Sequence, residues 1–251
     1  MRDTRLILLE GMPGSGKSTA ARALADRLTA AGVPAVQLQE VPGERSTAPV
    51  AEHPLHVGGP LFPAGGTTGE ALIARYTPDQ FVEESLSRWQ AFVGEVLSGA
   101  AVYVVESYPY QSASRVLLGM DAPEGQIREH ALRLEQTISP LRPVLIYFDR
   151  LHVAQAMRAT AEQRGPQWTA YLVELVVRSP YASRRVLTGL DAVDTMVEAY
   201  KALLDSLVAT CGLPKLHLGD CAGNWDACYR RIDAFLGLDA ESPAPPGGAR
   251  S

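Results

Sequence analysis

Short apolar runs alternate with longer amphipathic stretches along most of this chain. The apolar runs have the length of buried parallel strands, while the longer stretches carry apolar residues at helical spacing. Strands that alternate with helices form parallel sheets, which the helices cover on both faces. The pattern therefore predicts an α/β fold, a three-layer α/β/α sandwich with a five-stranded, mostly parallel sheet. The predicted strands are Arg5–Leu9, Ala35–Leu38, Ala101–Val105, Pro143–Phe148 and Lys215–Leu218.

The helices follow the same periodicity and are bounded by residues that start or stop a helix. Thr77-Pro78-Asp79-Gln80 is a capping box with proline at the first helical position. Gly165 and Pro166 predict a break or hinge further along the chain. The predicted helices are Ser18–Ala30, Thr77–Leu97, Gln111–Leu118, Glu124–Ile138, Trp168–Val177, Asp191–Thr210 and Trp225–Leu236, with another that starts near Val153.

One loop carries a recognisable chemical pattern. The segment Gly11–Ser18, with Thr19 behind it, fits G-x-x-x-x-G-K-[ST] and lies between a predicted strand and a predicted helix. Its glycines allow successive backbone N–H groups to surround a di- or triphosphate at the positive end of the helix. Lys17 can neutralise the β and γ phosphates, and the Ser18 hydroxyl can hold Mg²⁺. We therefore predict a P-loop NTPase fold in which the nucleotide contacts Gly11, Pro13, Gly14, Ser15, Gly16, Lys17, Ser18 and Thr19.

Two carboxylates directly follow predicted strands, where open α/β sheets bind their ligands. Glu40 follows the second strand and is a candidate general base or acceptor-positioning group, with a solvated loop glutamate as the even alternative. Glu106 follows the third strand, the natural place for an acid that holds the Mg²⁺ shell or orients the attacking hydroxyl. Both are therefore assigned to catalysis, and Glu106 also to the metal.

The acceptor side of the site is expected in a long connection, residues 41–76, because such loops are usually functional or disordered. His53 in this loop could contact the substrate or be incidental. Trp89 could form the floor of the pocket or belong to a core-facing stripe of its helix. Arg115 could reach the acceptor or be solvated.

A lid is expected over residues 150–168. Arg158 on a helix, and Arg164 beyond its end, could close over the transferring phosphoryl group; the alternative is two surface arginines. A nucleotide base could rest against the loop after the last strand, on backbone groups near Ala222 and Gly223. Lys17, Glu40, Glu106, Arg158 and Arg164 are thus the candidate catalytic residues.

Composition narrows the classes of protein that the chain can be. A net charge of −5 and the lack of a basic run argue against a nucleic-acid partner. No apolar run approaches the roughly 20 residues of a membrane span, and Met1–Thr4 is unlike a signal peptide. Cys211, Cys221 and Cys228 lack C-x-x-C spacing and are expected to be ordinary thiols in a reducing cytoplasm.

Domain organisation is simple. No internal repeat or second domain is visible, so residues 1–239 are expected to form one domain. Residues 240–251, rich in proline, glycine, alanine and serine, are expected to form a disordered tail. The long helix Asp191–Thr210 could serve a homodimer interface.

These features together resemble the thymidylate kinase and deoxynucleoside kinase branch of the P-loop kinases. The residues that carry the resemblance are Glu10 before the loop, Glu40 with Pro42 nearby, Glu106-Ser107-Tyr108 after the third strand, and Arg158, Arg164 and Gly165. The resemblance spans roughly Arg5 to Leu236 and implies ATP and Mg²⁺. Ser107 stands where that branch usually has arginine, and the segment Val41–Gly69 matches neither family, so the acceptor stays open.

The sequence thus predicts an ATP- and Mg²⁺-dependent kinase that acts on a small molecule, a nucleoside or nucleoside monophosphate. A kinase for a non-nucleotide alcohol, such as an antibiotic or another secondary metabolite, is the alternative enzyme. A nucleotide-dependent switch or scaffold with slow hydrolysis is the alternative of another class, although the chain has no Asn-Lys-x-Asp guanine motif.

Overall fold

A computed structural model describes residues 3–38, 50–51, 76–219, 221 and 223–238. The other residues, and the side chains of Val50 and Ala51, lie outside this description. The predictions for Glu40, His53 and Ala222 therefore fall outside the described residues, as does the predicted tail, 240–251.

The described strands form a single parallel sheet at the centre of the molecule. The strands are β1 (Leu6–Gly11), β2 (Ala35–Leu38), β3 (Val50–Ala51), β4 (Val102–Glu106), β5 (Val144–Phe148) and β6 (Lys215–Leu218). Their order across the sheet is β3-β2-β4-β1-β5-β6, and every pairing is parallel. The central strand β1 therefore lies between β4 and β5.

Helices connect the strands and cover both faces of the sheet. They are α1 (Lys17–Ala30), α2 (Pro78–Ser98), α3 (Ala113–Gly119), α4 (Glu124–Ile138), α5 (Val153–Arg164), α6 (Pro166–Val177), α7 (Pro180–Arg184), α8 (Gly189–Thr210) and α9 (Trp225–Leu236). A π-helical turn, Tyr108–Ser112, precedes α3, and a 3₁₀ turn, Ser139–Leu141, follows α4.

The alternation of side chains along β1 divides the core into two layers, since successive residues of a strand point to opposite faces. Leu6 and Leu8 pack in the larger cluster, with apolar residues of α2, α3, α4 and α8. Ile7 and Leu9 pack in the smaller cluster, with α1 and α9. Every residue of β1 is buried, so this strand is covered on both faces and positions the loop that follows it.

The predicted architecture is confirmed, with local differences. All five predicted strands are present, and the two-residue strand β3 is an addition inside the segment that was predicted to be a loop. β1 runs on to Gly11, because Gly11 pairs with Phe148 of β5. The capping box of α2 forms: Gln80 N–H donates to the Thr77 hydroxyl, and Thr77 N–H donates to the Gln80 side chain.

Two predictions are wrong: that all three cysteines are ordinary thiols, and that Arg164 lies beyond the end of its helix. Cys221 and Cys228 form a disulfide with a Cα–Cα distance of 6.1 Å, whereas Cys211 is a free buried thiol. The bridge forms because α9 begins at Trp225, so its first turn brings Cys228 back over the loop that contains Cys221. Arg164 is the last residue of α5 rather than a residue beyond it, and the break comes at Gly165 with φ +89°.

Among the described residues, no helix is long and apolar enough to cross a membrane.

Candidate active site

The phosphate-loop sequence forms the turn between the central strand and α1. β1 ends at Gly11 and α1 begins at Lys17, so the loop lies at the carboxyl edge of the sheet. Gly16 is the N-cap of α1 and has φ +90°, a conformation that favours glycine. A Cβ at Gly16 would also overlap the ring of Trp225. The strand, loop and helix together give the chain a P-loop NTPase-like α/β fold.

The Lys17 side chain lies back across this loop. It is buried, and its Nζ donates a hydrogen bond to the Met12 carbonyl at 2.9 Å. The ammonium group is thus held inside the turn whose N–H groups surround phosphate in such loops.

Ser18 and Glu106 come together across two neighbouring strands. Glu106 ends β4, where it pairs in register with Leu9 of β1, and it is 3% exposed. The Ser18 hydroxyl donates to Glu106 Oε1 at 3.0 Å. Hydroxyl and carboxylate oxygens are hard ligands of the type that Mg²⁺ prefers. The two residues assigned to the metal from the sequence are therefore adjacent.

Glu10 anchors the turn that follows Glu106. Its carboxylate is fully buried and accepts backbone N–H bonds from Tyr110 at 3.3 Å and Gln111 at 2.9 Å. These are N–H groups in the first turn of the π-helix, where a negative charge is favoured. Ser107 starts this turn with φ +66° and donates its N–H to Leu9 O. Glu10 entered the sequence analysis only through the resemblance, with no role assigned.

Two charged residues directly after β5 were missed by the sequence analysis. Arg150 Nη1 donates to the Gly14 carbonyl of the phosphate loop at 2.5 Å. The Asp149 carboxylate is 2.9 Å from Lys201 Nζ and 3.4 Å from His217 Nε2. The signal that identified Glu106, a charged residue at the end of a buried strand, was also present here.

Lys201 joins the end of β5 to α8. Besides Asp149 it contacts Asp205, which also accepts a hydrogen bond from the Tyr147 hydroxyl at 2.6 Å. Burial alone would lower the pKa of Lys201, but hydrogen bonds to Asp205 and Asp149 outweigh burial and raise it. Lys201 is therefore a fixed positive charge that fastens this strand end.

The loop after β6 is fastened to α9 next to the phosphate loop. The Cys221–Cys228 disulfide spans it, and the Asn224 side chain caps α9. The half-buried Trp225 ring lies against Gly16, with its centroid 6.3 Å from Phe148. Gly223 is exposed, with φ +88°. The assignment of this loop to a nucleotide base stays a prediction.

The two predicted lid arginines contact neighbouring side chains and not the phosphate loop in this conformation. Arg158 pairs with Asp194 and with Asp191, both on α8, at 2.7 Å and 3.2 Å. The Arg164 guanidinium lies 5.0 Å above the centre of the Trp168 ring. Closure of either arginine over a phosphate is therefore a prediction that would require these contacts to break.

Trp89 and Arg115, which were also predicted to contact the substrate, do not define an acceptor pocket. Trp89 is 2% exposed and packs edge-on against Phe92 in the larger core cluster, as the core-facing interpretation of its helix expects. Arg115 is half-buried on α3. With Glu40 and His53 outside the described residues, the donor side of the site is better defined than the acceptor side.

Comparisons with known proteins give a likeness only among solved structures. No protein-family model matches the chain, and no curated protein matches it. The YorR protein of Bacillus subtilis, solved in complex with phosphorylated GDP, is similar over 93% of this chain and 96% of that one. The two share 14% sequence identity, and the TM-score is 0.46. The function of this chain is therefore inferred from its own residues.

Proposed function

We propose that this protein is an ATP- and Mg²⁺-dependent phosphotransferase that moves the γ-phosphoryl group to a nucleoside or nucleoside monophosphate. The observation that carries the proposal is the 3.0 Å contact between Ser18 Oγ and Glu106 Oε1. In this contact the hydroxyl of the phosphate loop lies beside a buried acid at the end of the neighbouring strand β4, and P-loop NTPases hold Mg²⁺ with such a pair.

The donor is bound by the loop and the start of α1. Backbone N–H groups of residues 14–18 cradle the phosphates at the positive end of the helix. Lys17, held inside the loop by Met12 O, exchanges that carbonyl for the β and γ phosphate oxygens.

Ser18 and Glu106 fit a magnesium ion. Mg²⁺ typically takes one or two protein oxygens, with phosphate and water oxygens completing its shell. When bound, the ion neutralises charge on the transferring phosphates.

Catalysis then consists of positioning and charge stabilisation, so few protein groups are needed. Glu106 is buried next to Ser18 and orients the acceptor hydroxyl, while Glu40, after the adjacent strand β2, is the second candidate to receive its proton. Arg158 and Arg164 are the candidates on the lid segment to approach the phosphates when it closes.

The test is ADP release from ATP and Mg²⁺ across a panel of nucleosides, nucleoside monophosphates and metabolite alcohols. We expect one nucleoside or nucleoside monophosphate to stimulate turnover, and Lys17→Ala to reduce it by at least about 10²-fold, because a charge stabiliser is lost. Melting curves of both proteins control for folding.

Stimulation only by a non-nucleotide alcohol would overturn the acceptor but keep the phosphotransferase. If no small molecule raises a slow basal rate, the nucleotide-dependent switch replaces the enzyme. Equal turnover of the wild type and Lys17→Ala would overturn the proposal as a whole.

A further inference from the structure

Arg150 lies just after the carboxyl end of β5, beside the start of the phosphate loop. The last residue of β5, Phe148, pairs with Gly11, the first residue of the loop. Asp149 and Arg150 come next in the chain. In a parallel sheet both strand ends lie at the same edge, so Arg150 emerges beside the loop.

The guanidinium group is in direct contact with the middle of the loop. Arg150 Nη1 donates to Gly14 O, and a Cβ added to Gly14 would meet the same nitrogen. A guanidinium group carries five N–H donors in a planar fork, and this bond uses one of them. No other hydrogen bond of Arg150 is found among the described residues.

The charge of Arg150 is not neutralised by the neighbouring acid. Asp149 directs its carboxylate to Lys201 of α8 and His217 of β6. Within the described residues, Arg150 forms no ion pair with a carboxylate. Within the part of the chain that the structure describes, it is therefore a cation at the phosphate loop without a carboxylate partner.

The lid arginines differ in this respect. Arg158 already pairs with two acids of α8, and Arg164 lies on an indole ring. Either would have to leave its partner before it reached a phosphate. Arg150, by contrast, already contacts the phosphate loop itself, through Gly14 O.

We propose that Arg150 is a catalytic residue that contacts the terminal phosphates of the donor nucleotide and stabilises charge on the γ-phosphoryl group during transfer. The proposal rests on the proposed function, since it names a further group of the same site. Removing one such charge stabiliser typically costs 10²–10³-fold in turnover.

The test compares Arg150→Gln with Arg142→Gln. Arg142 precedes β5 and is an exposed arginine that pairs with Asp3 at the opposite edge of the sheet, so it is a matched control. The affinities for ATP and for ADP, each with Mg²⁺, are measured by calorimetry. ATP turnover and the melting temperature are measured on the same preparations.

We expect Arg150→Gln to lower turnover about 10²-fold or more and to weaken ATP binding more than ADP binding, because ATP carries the additional phosphate. Arg150→Lys should recover part of the loss, since it restores the charge without the planar fork. Arg142→Gln should behave like the wild type, and all three variants should melt like it.

An equal loss of affinity for ATP and ADP would mean that Arg150 only braces the loop, and would overturn the proposal. So would an Arg150→Gln protein with the turnover of Arg142→Gln, provided that Lys17→Ala remains inactive. If Lys17→Ala is fully active, the proposed function itself has failed, and the two failures are thereby distinguished.

Discussion

Glu10 has no exposed surface, although an ionised carboxylate is costly to bury without compensation. Two backbone N–H groups of the turn after β4 provide that compensation. Because only Ser107 separates this turn from Glu106, we infer that the carboxylate of Glu10 helps to hold Glu106 where it meets Ser18. On the proposed function, Glu10 is thus a positioning residue for Glu106.

Replacing Glu10 with glutamine should separate this positioning role from a purely structural one. The amide keeps the shape but has one acceptor oxygen in place of two, so one buried N–H loses its partner. We expect turnover to fall about 10–100-fold, as for other residues that orient a metal-binding group. The free energy of unfolding should fall by about 1–3 kcal/mol.

The measurement is steady-state kinetics with ATP as the varied substrate. We expect kcat to change and the KM for ATP to stay close to that of the wild type, because Lys17 and the loop amides are untouched. If Glu10→Gln is less stable but turns over normally, the positioning role is wrong.

At the scale of elements, the cross-link between Cys221 and Cys228 fastens the loop after β6 to α9. Trp225 on the first turn of α9 in turn lies against Gly16. The Trp225 ring leaves no room for a side chain at residue 16. The position of that ring depends on α9, which the disulfide fastens to the preceding loop.

Reducing the disulfide should destabilise the protein modestly. The closed loop has a sequence separation of 7 residues, for which the loss of chain entropy on cross-linking corresponds to about 2 kcal/mol. We expect urea unfolding midpoints to fall when dithiothreitol is added. The Cys221→Ser, Cys228→Ser double variant should match the reduced wild type and show no response to the reductant. A response of the double variant equal to that of the wild type would contradict this assignment.

Much of the fold was predictable, and the reasons lie in particular elements. β5 and β1 are buried on both faces, so their uninterrupted apolar runs are hard to mistake. β3 has two residues, too few to show any periodicity. The helix predicted to start at Gln111 starts at Ala113 instead, and a π-helical turn precedes it. The N–H groups of that turn bind Glu10, a residue distant in the chain that a local pattern does not reveal.

The candidate site was predictable where local pattern determines it. The loop Gly11–Ser18 was predictable because its glycines and the helix that follows are visible in the sequence. The role assigned to Glu106 was predictable because this residue directly follows a buried strand. Arg150 was missed because its contact with Gly14 depends on how β5 pairs with β1, which no local pattern gives. The disulfide was missed because C-x-x-C spacing does not cover a loop followed by a helical turn.

The whole molecule has two apolar layers, and the larger one contains a buried polar pair. His130 of α4 is 2% exposed and shares a 3.1 Å hydrogen bond with Ser85 of α2. Burial, with a smaller contribution from the positive charge of Arg133, lowers the pKa of His130 to about 4. The imidazole is therefore neutral in the folded protein at neutral pH.

The stability of the whole molecule should consequently fall as the pH is lowered. Between pH 6.5 and about 4 the unfolded chain binds a proton at His130 and the folded protein does not, so the free energy of unfolding decreases with decreasing pH. The full effect is about 3 kcal/mol, from the size of the pKa difference. Denaturant unfolding at several pH values measures it.

The variants His130→Gln and His152→Gln provide the comparison, since His152 is exposed. The slope of stability against pH in this range should flatten in the first and persist in the second. Equal slopes in both would mean that carboxylates, rather than His130, set the acid sensitivity.

The contact between Gly16 and Trp225 also bears on how the chain is made. Gly16 leaves the ribosome 209 residues before Trp225, which at about 5–20 residues per second is an interval of about 10–40 s. During that interval the nascent chain carries the complete phosphate-loop sequence, but neither the indole that lies against it nor, for most of the time, the β5 edge that pairs with Gly11. On the proposed function, the nucleotide therefore binds a site that is complete only when nearly the whole chain has been made, and its binding to that complete site cannot assist the formation of the first strands.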